Sequence, residues 1–215
     1  MRCTNLYTPF LWCKGLSRSR ATGGDRQEPV CCTRKPSAKG SGTTHDLTFR
    51  RLVAADLPLL GAWLAVEPAL RWYAHGKAPT AEELGEKYLP RIRGEIPISC
   101  WILMRQGHAA GFFQTYRLCD FPDHPAGPRP RAAALDYLLA PPEIGQGLAT
   151  PALLAFLRDV VFAAPDILRC YADPDPANLA SVRSLRRAGF HRRSGVQPTG
   201  FLLLSCPRRR VLAQS

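Results

Sequence analysis

The chain has 215 residues, of which 46% are hydrophobic and 21% are charged. This length suffices for a hydrophobic core, and the apolar fraction excludes a wholly disordered chain. No run of about 18 apolar residues occurs, so the sequence predicts no membrane-spanning helix. The 29 basic and 17 acidic residues give a formal net charge of +12, which favours anionic partners such as phosphate groups.

The eight cysteines and five histidines are scattered along the chain, and no Cys-x-x-Cys pair occurs. Because structural zinc sites need closely spaced ligands, we predict no metal site. The chain is also longer than the small secreted domains that depend on disulfide bonds. We therefore expect free thiols in a reducing compartment, and hence a cytoplasmic protein.

Residues 1–45 differ in composition from the rest of the chain. They hold half of the cysteines, are strongly basic and have no helical or alternating apolar pattern. We interpret them as a disordered extension or as upstream sequence read from a misassigned start, although organellar transit peptides have a similar composition. A folded domain is predicted over 46–206, followed by a basic C-terminal tail over 207–215.

From residue 46 onward the sequence predicts a mixture of strands and helices. Thr80 and Glu83 have the spacing of a capping box, and the turn Gln106-Gly107-His108 separates two apolar runs that predict a β-hairpin. In chain order, the predicted elements are a strand at 46–53, helices at 57–66 and from 81, strands at 97–105 and 109–118, a proline-rich loop at 119–130, a strand at 132–139, a helix at 150–162, a strand at 167–172, a helix at 176–188 and a strand at 201–206. Antiparallel strands come first and a β-α-β unit follows, which predicts an α+β protein with a mixed sheet.

A glycine turn lies between the strand at 132–139 and the next helix. Its residues are Ile144, Gly145, Gln146, Gly147, Leu148, Ala149 and Thr150. Glycines let backbone N–H groups approach a ligand, and a helix N-terminus adds positive potential. The turn therefore has the features of a pyrophosphate cradle, although such turns also merely connect a strand to a helix. It matches neither the Walker pattern nor the dinucleotide-binding fingerprint.

Three motifs make the sequence resemble the GNAT superfamily of N-acetyltransferases. They are the turn at 144–149, the run Asp173-Pro174-x-x-x-Asn178, and Ala188-Gly189-Phe190. Over residues 47–195 the chain is more closely similar to the aminoglycoside 6′-N-acetyltransferases and the related siderophore lysine acyltransferases. The resemblance implies the GNAT fold, with a mostly antiparallel central sheet flanked by helices, in a monomer or homodimer. It also implies direct acetyl transfer from acetyl-CoA to an amine, without a metal.

The resemblance also implies which residues contact the cofactor. The turn at 144–150 would bind the CoA pyrophosphate, the backbone of Leu138 and Leu139 would pair with the pantetheine arm, and the Asn178 amide would contact the same arm. Family members usually have Arg or Gln at the first position of the turn, where this chain has Ile144. The cradle would therefore depend on backbone amides and the helix dipole. An equally good interpretation of Asn178 is that it is simply a polar residue in the first turn of a helix.

Two aspartates are the candidate catalytic residues. An amine acceptor is protonated near pH 7 and must lose a proton before it attacks, so a carboxylate within reach is expected. Asp136 is the lone acid in an apolar strand and is the candidate general base, unless it merely faces solvent. Asp173 matches the family's second acidic position at the acceptor site, but Asp-Pro is also an ordinary turn signal.

Other positions bear on the acceptor and on the leaving group. Trp72 and Tyr73 match aromatics that form a wall of the acceptor pocket in the family, or else pack between helices. Leu185 replaces a Tyr that many members use to protonate the leaving thiolate, a change that would slow the reaction. Arg71 and Lys77, beside the expected pocket, oppose tight binding of a polycation.

The function predicted from the sequence is acetyl-CoA-dependent N-acetylation of a small-molecule amine, most favourably an aminoglycoside, and hence antibiotic resistance. The alternatives are acylation of a lysine or hydroxylysine amine in siderophore biosynthesis, and a non-catalytic CoA-binding regulatory domain. Nucleic-acid binding is disfavoured, because the basic residues within 183–193 and 208–210 lack interleaved aromatics. We expect neither a nucleic-acid partner nor a membrane partner.

Overall fold

The computed structural model describes residues 47–192 and 200–213. The strands are β1 (Leu47–Arg51), β2 (Ile98–Arg105), β3 (His108–Arg117), β4 (Ala132–Leu139), β5 (Arg169–Ala172), β6 (His191–Arg192) and β7 (Leu204–Pro207). The helices are α1 (Leu57–Leu64), α2 (Ala69–Trp72), α3 (Ala81–Ile92), α4 (Ala149–Phe156), α5 (Leu179–Arg187) and α6 (Arg208–Leu212). In these residues the strands form one sheet in the order β1-β2-β3-β4-β5-β7-β6, and only the pair β4–β5 is parallel. The predicted α+β fold with a mostly antiparallel sheet is confirmed.

Both faces of the sheet are covered by helices. Helices α1, α2 and α3 contribute to one apolar core, and α4, α5 and α6 contribute to the other. Successive side chains of β3 enter opposite cores, since strand side chains alternate between faces. Phe112 packs edge-on against Tyr88 with ring centroids 5.5 Å apart, whereas Phe113 packs against Phe156 at 4.9 Å. Burial on both faces explains why β3 is a nearly continuous apolar run.

Local sequence signals account for several helix ends. Helix α3 begins at the predicted capping box, in which the Thr80 hydroxyl accepts a hydrogen bond from the Glu83 N–H and the Glu83 carboxylate accepts one from the Thr80 N–H. Helix α5 begins three residues later than predicted, because the Asn178 carboxamide oxygen accepts a hydrogen bond from the Ser181 N–H and caps the helix there. The helix predicted over 150–162 is α-helical only to Phe156 and continues as a π-helical turn, Leu157–Val161.

The C-terminal segment belongs partly to the folded domain. Residues 207–215 were expected to form a basic tail, but Arg208–Leu212 form α6, whose Val211 is buried in the core that also contains α4. Two adjacent apolar residues after three arginines are too weak a periodic signal to predict a helix. The predicted N-terminal extension, 1–45, lies outside the described residues.

The arrangement of β4 and β5 creates the opening that holds the candidate site. The two strands pair only through residues 132–134 of β4 and 169–171 of β5. Beyond that point β4 continues to Leu139 while β5 ends at Ala172 and pairs with β7. The strands therefore diverge, and residues 135–139 of β4 border a gap in the sheet.

Candidate functional site

A cavity of about 710 Å³ opens where β4 and β5 diverge. It extends from α2 and α3 at one end to the glycine turn and α5 at the other. All of the predicted site residues except Gln146 line this cavity: Trp72, Tyr73, Asp136, Leu138, Leu139, Ile144, Gly145, Gly147, Leu148, Ala149, Thr150, Asp173 and Asn178. Residues that are more than 100 positions apart in the sequence thus meet around one space.

Gln146 lies in the glycine turn but not in the cavity wall. Its side chain is exposed, and its backbone N–H donates to the Glu143 carbonyl at 3.4 Å. The flanking glycines have φ angles of 80° and 77°, a left-handed conformation that glycine adopts readily. The prediction that Gln146 contacts the cofactor is therefore not supported by its placement.

The two candidate catalytic aspartates are half-buried in the cavity wall. The Gln114 side-chain nitrogen donates a hydrogen bond to Asp136 Oδ2 at 2.7 Å, and Arg91 Nη1 donates one to Gln114 Oε1 at 2.9 Å. Burial raises the pKa of Asp136 despite this hydrogen bond and the nearby charges of Lys87 and Arg91. Burial also raises the pKa of Asp173 well above its usual range, and the negative charge of Asp136 adds to the effect. A carboxylate with a raised pKa is a stronger base toward a bound ammonium group.

The glycine turn offers an open backbone beside a helix N-terminus. A Cβ atom built on Gly145 or Gly147 would meet no other heavy atom within 4 Å, so their backbone surface has room for a ligand. Helix α4 follows directly, and no side chain caps its first N–H groups. Arg183 and Arg187, one turn apart on α5, also line the cavity and add positive charge. This combination fits the phosphates of acetyl-CoA.

Glu143 anchors the turn to the β2–β3 hairpin, a role that the sequence did not reveal. Its buried carboxylate accepts a hydrogen bond from Arg105 Nη1 at 2.5 Å and lies 3.1 Å from His108 Nε2. Burial would raise the pKa of Glu143, but the contacts with His108 and Arg105 outweigh it and lower the pKa. The ion pair thus connects the turn to strands that lie 35 or more residues earlier in the sequence. No local sequence pattern can indicate a contact between positions so far apart.

The end of the cavity where the sequence predicts the acceptor combines aromatic and cationic side chains. Trp72 lines it with the Arg71 guanidinium 4.4 Å from its ring centroid, and Tyr73 packs edge-on against Phe112 in the core. Lys87 of α3 also lines the cavity. Lys77, which the sequence places beside the pocket, instead forms an ion pair with Glu83 at 2.7 Å outside the cavity. Of the two cations that the sequence places beside the pocket, Arg71 thus lines the cavity and Lys77 does not.

The position that carries a Tyr in many family members is apolar here. Leu185 of α5 is buried and lines the cavity. The Tyr137 hydroxyl reaches the same wall from β4 and donates a hydrogen bond to Ser181 Oγ at 3.3 Å. The Tyr137 side chain is only partly buried, because the divergence of the strands opens the sheet beside it.

The described residues contain four cysteines, all with free thiols: Cys100, Cys119, Cys170 and Cys206. In the same part of the chain, no group of three or more His, Cys, Asp or Glu side chains is arranged to hold a metal ion. A search of these residues also found no helix with the length and apolar character needed to span a membrane.

Comparison with known proteins gives a consistent result. Residues 53–197 match the family described as "Acetyltransferase (GNAT) domain". An aminoglycoside N(6′)-acetyltransferase type 1 from Klebsiella pneumoniae is 29% identical over 160 residues, which cover 73% of this chain and 79% of that protein. The structure of AAC(6′)-Ib with paromomycin and acetyl-CoA superposes with a TM-score of 0.70 at 27% identity, covering 79% of this chain and 97% of the other. For AAC(6′)-Ib with coenzyme A and kanamycin, the TM-score is 0.69 at 28% identity, with 79% and 98% covered.

Proposed function

The chain belongs to the GNAT acetyltransferase family, and we propose that this acetyl-CoA-dependent N-acetyltransferase acetylates an amine of an aminoglycoside. The observation that carries the proposal is the position of Asp136 and Asp173 in the same cavity as the glycine turn. The relatives named for aminoglycoside acetylation support the choice of acceptor. Acetylation of a drug amine removes its positive charge, which accounts for a role in antibiotic resistance.

Residues at one end of the cavity bind acetyl-CoA, and residues at the other end bind and deprotonate the acceptor. Acetyl-CoA supplies an acetyl group activated as a thioester. We assign its phosphates to the backbone of the turn at 144–150, the N-terminus of α4, and Arg183 and Arg187. The unpaired edge of β4 at Leu138 and Leu139 is suited to hydrogen bonding with an extended pantetheine arm, because β5 no longer occupies it. The carboxamide oxygen of Asn178 is used in capping α5, so only its NH₂ group is available to the cofactor.

The aspartates act at the other end. Asp136 removes a proton from the bound ammonium group, which leaves a neutral amine able to attack the acetyl carbonyl carbon. Asp173 binds and orients the acceptor by pairing with another of its positive charges. Trp72 and Tyr73 form the apolar wall against which the sugar ring lies.

The substitution Asp136→Asn tests this assignment, because it keeps the shape of the side chain and removes the base. We expect turnover of kanamycin to fall by roughly 10²–10⁴, the usual contribution of a positioned acid or base. Raising the pH should partly restore activity, since more of the amine is then neutral. Acetyl-CoA should still increase the melting temperature of the variant, because the carboxylate does not face the phosphates.

Asp159→Asn is the matched control, since Asp159 pairs with Arg158 on the surface. It should retain wild-type turnover. An Asp136→Asn enzyme with full activity would exclude Asp136 as the base and leave Asp173 as the candidate.

We further infer that the enzyme works in the cytoplasm as a monomer or homodimer. The free thiols of the described residues are consistent with a reducing compartment. Size-exclusion chromatography with light scattering would distinguish the two assembly states.

A further inference from the structure

We propose that Arg91 is a positioning residue for the reaction, which acts through the Gln114 carboxamide to orient Asp136 and to favour its ionised form. The inference rests on the proposed role of Asp136 as general base. Arg91 does not line the cavity and so does not contact the acceptor. Its influence on the reaction is therefore indirect.

Three elements contribute one residue each to a continuous chain of hydrogen bonds. Arg91 is on α3, Gln114 on β3 and Asp136 on β4, where Gln114 and Asp136 are direct partners in the antiparallel register. Arg91 Nη1 is 2.9 Å from Gln114 Oε1, and Gln114 Nε2 is 2.7 Å from Asp136 Oδ2. Gln114 is only 3% exposed, and it lines the cavity beside Asp136.

The chemistry of the guanidinium group determines how Gln114 is oriented. Arginine can only donate hydrogen bonds, so Gln114 must direct its carbonyl oxygen toward Arg91. The NH₂ group of Gln114 must then face Asp136. A hydrogen bond donated to a carboxylate favours the ionised form, and it holds Oδ2 in place. The other oxygen, Oδ1, is left to receive the proton from the acceptor.

The positive charge of Arg91 acts in the same direction. Burial disfavours the ionised form of Asp136, and the hydrogen bond from Gln114 and the charges of Lys87 and Arg91 oppose that effect. The cavity thus contains a base whose proton affinity is set by opposing influences. Both cations act on Asp136 through their charge, and Arg91 is in addition connected to it through the hydrogen bonds of Gln114. Further ionisable groups that face Asp136 from the elements packed around it, and whose pKa its negative charge raises, are Tyr73, Tyr88, Tyr116, Cys170 and Asp173.

The test is the pH dependence of kcat/KM for kanamycin in the full-length enzyme. For Arg91→Met we expect the acidic limb of the profile to move to higher pH by about one unit, because opposite charges near a carboxylate typically shift its pKa by 1–3. Arg91→Lys should restore part of the shift. The effect of acetyl-CoA on the melting temperature should remain that of the wild type, which also verifies that each variant is folded.

A double-mutant cycle tests whether the effect passes through Gln114. Gln114→Leu should move the acidic limb in the same direction, and adding Arg91→Met to it should move the limb by less than Arg91→Met does alone, because only the charge of Arg91 is then left to remove. Fully additive shifts would mean that Arg91 acts on Asp136 through its charge alone, and would overturn the proposal. Gln114→Glu gives a second, independent test, because it keeps an acceptor for Arg91 but places a negative charge beside Asp136. The acidic limb of the pH profile of Gln114→Glu should also move to higher pH, and an unchanged limb would contradict the inference.

Arg93→Met is the matched control, since Arg93 directly follows α3 and pairs with the exposed Glu95. It should leave the profile unchanged. The two assignments fail in different ways. If Asp136→Asn keeps full activity, the base is wrong; if Asp136→Asn is inactive while the limb of Arg91→Met does not move, only the role of Arg91 is wrong.

Discussion

Asp136 and Asp173 place two carboxyl groups in one partly enclosed space, and this arrangement has a cost in stability. Each group is shielded from water, and the charge of one disfavours ionisation of the other. The folded protein therefore holds protons on these groups at pH values where an unfolded chain has released them. Stability is lost as the pH rises above the ordinary carboxyl pKa and through the raised pKa of the folded state.

Asp173→Asn should therefore stabilise the protein, increasingly so at higher pH. The asparagine keeps the shape and carries no charge, so the penalty disappears. We expect a gain of a few degrees in melting temperature at pH 8 and a smaller gain at pH 5, since about 1 kcal/mol corresponds to about 2–4 °C in a chain of this size. Thermal unfolding at both pH values measures it.

Asp166→Asn provides a control of opposite sign. Asp166 is exposed and forms a two-point ion pair with Arg117, and the hydrogen bond from Arg117 lowers the pKa of this carboxyl. Its substitution should slightly lower the melting temperature at pH 8. A melting temperature of Asp173→Asn that did not change with pH relative to the wild type would contradict the raised pKa of Asp173.

At the scale of elements, the glycine turn and the strand divergence form the half of the cavity that we assign to the cofactor. The turn depends on two left-handed glycines for its shape and on Glu143 for its attachment to the hairpin. Pairing between β4 and β5 stops after residue 134 of β4, whereas β5 pairs with β7 along its other edge over its whole length. The surface that we assign to the cofactor is therefore mostly backbone, so it does not depend on the side chain of Ile144.

Gly147→Glu should abolish the increase in melting temperature that acetyl-CoA produces. The substitution adds a carboxylate where we expect phosphate, and differential scanning fluorimetry with and without acetyl-CoA measures the effect. In Gly147→Ala the added Cβ would occupy open space, so acetyl-CoA should still produce most of the increase in melting temperature. The only cost of this substitution is the strain of a positive φ angle at alanine.

Gly127→Glu is the matched control, because Gly127 also has a positive φ and open surroundings but lies outside the cavity. It should respond to acetyl-CoA like the wild type. A normal response from Gly147→Glu would remove the turn from the binding site.

At the scale of the whole molecule, the formal charge of +12 has opposite consequences at the two ends of the cavity. Positive charge on α5 favours the phosphates of acetyl-CoA. Positive charge from Arg71 and Lys87 at the other end opposes a polycationic acceptor, and Asp136 and Asp173 must compensate for it. The affinity for the acceptor is thus expected to depend on ionic strength.

Arg71→Gln should lower the KM for kanamycin several-fold at low salt, with kcat and the KM for acetyl-CoA nearly unchanged. Arg71 is exposed, so the difference should diminish at 0.5 M salt, where screening is strong. Lys77→Gln removes a nearby exposed charge that pairs with Glu83 outside the cavity, and it should have little effect on either KM. Equal KM values for Arg71→Gln and the wild type would show that Arg71 does not act on the acceptor.

The sequence by itself determined the α+β fold and the order of the main elements, which depend on signals between neighbouring residues: alternating or helical apolar patterns, the capping box at Thr80, and the glycine turn. The family and the acetyltransferase activity followed from the resemblance of its motifs to the GNAT superfamily. Most of the site residues proposed from those motifs line the cavity, because the motifs are contiguous in the sequence.

Only the tertiary structure decided which residues surround those motifs. Gln114 and Arg91 lie 22 and 45 positions before Asp136, and only sheet register and helix packing bring them to it. The orientation of α3 places Lys87 in the cavity wall, whereas Lys77 pairs with Glu83 at the surface. The burial of Val211 in turn makes part of the expected tail a helix. Contacts of this kind join distant positions, so their physical cause is the packed fold and no local pattern reveals them.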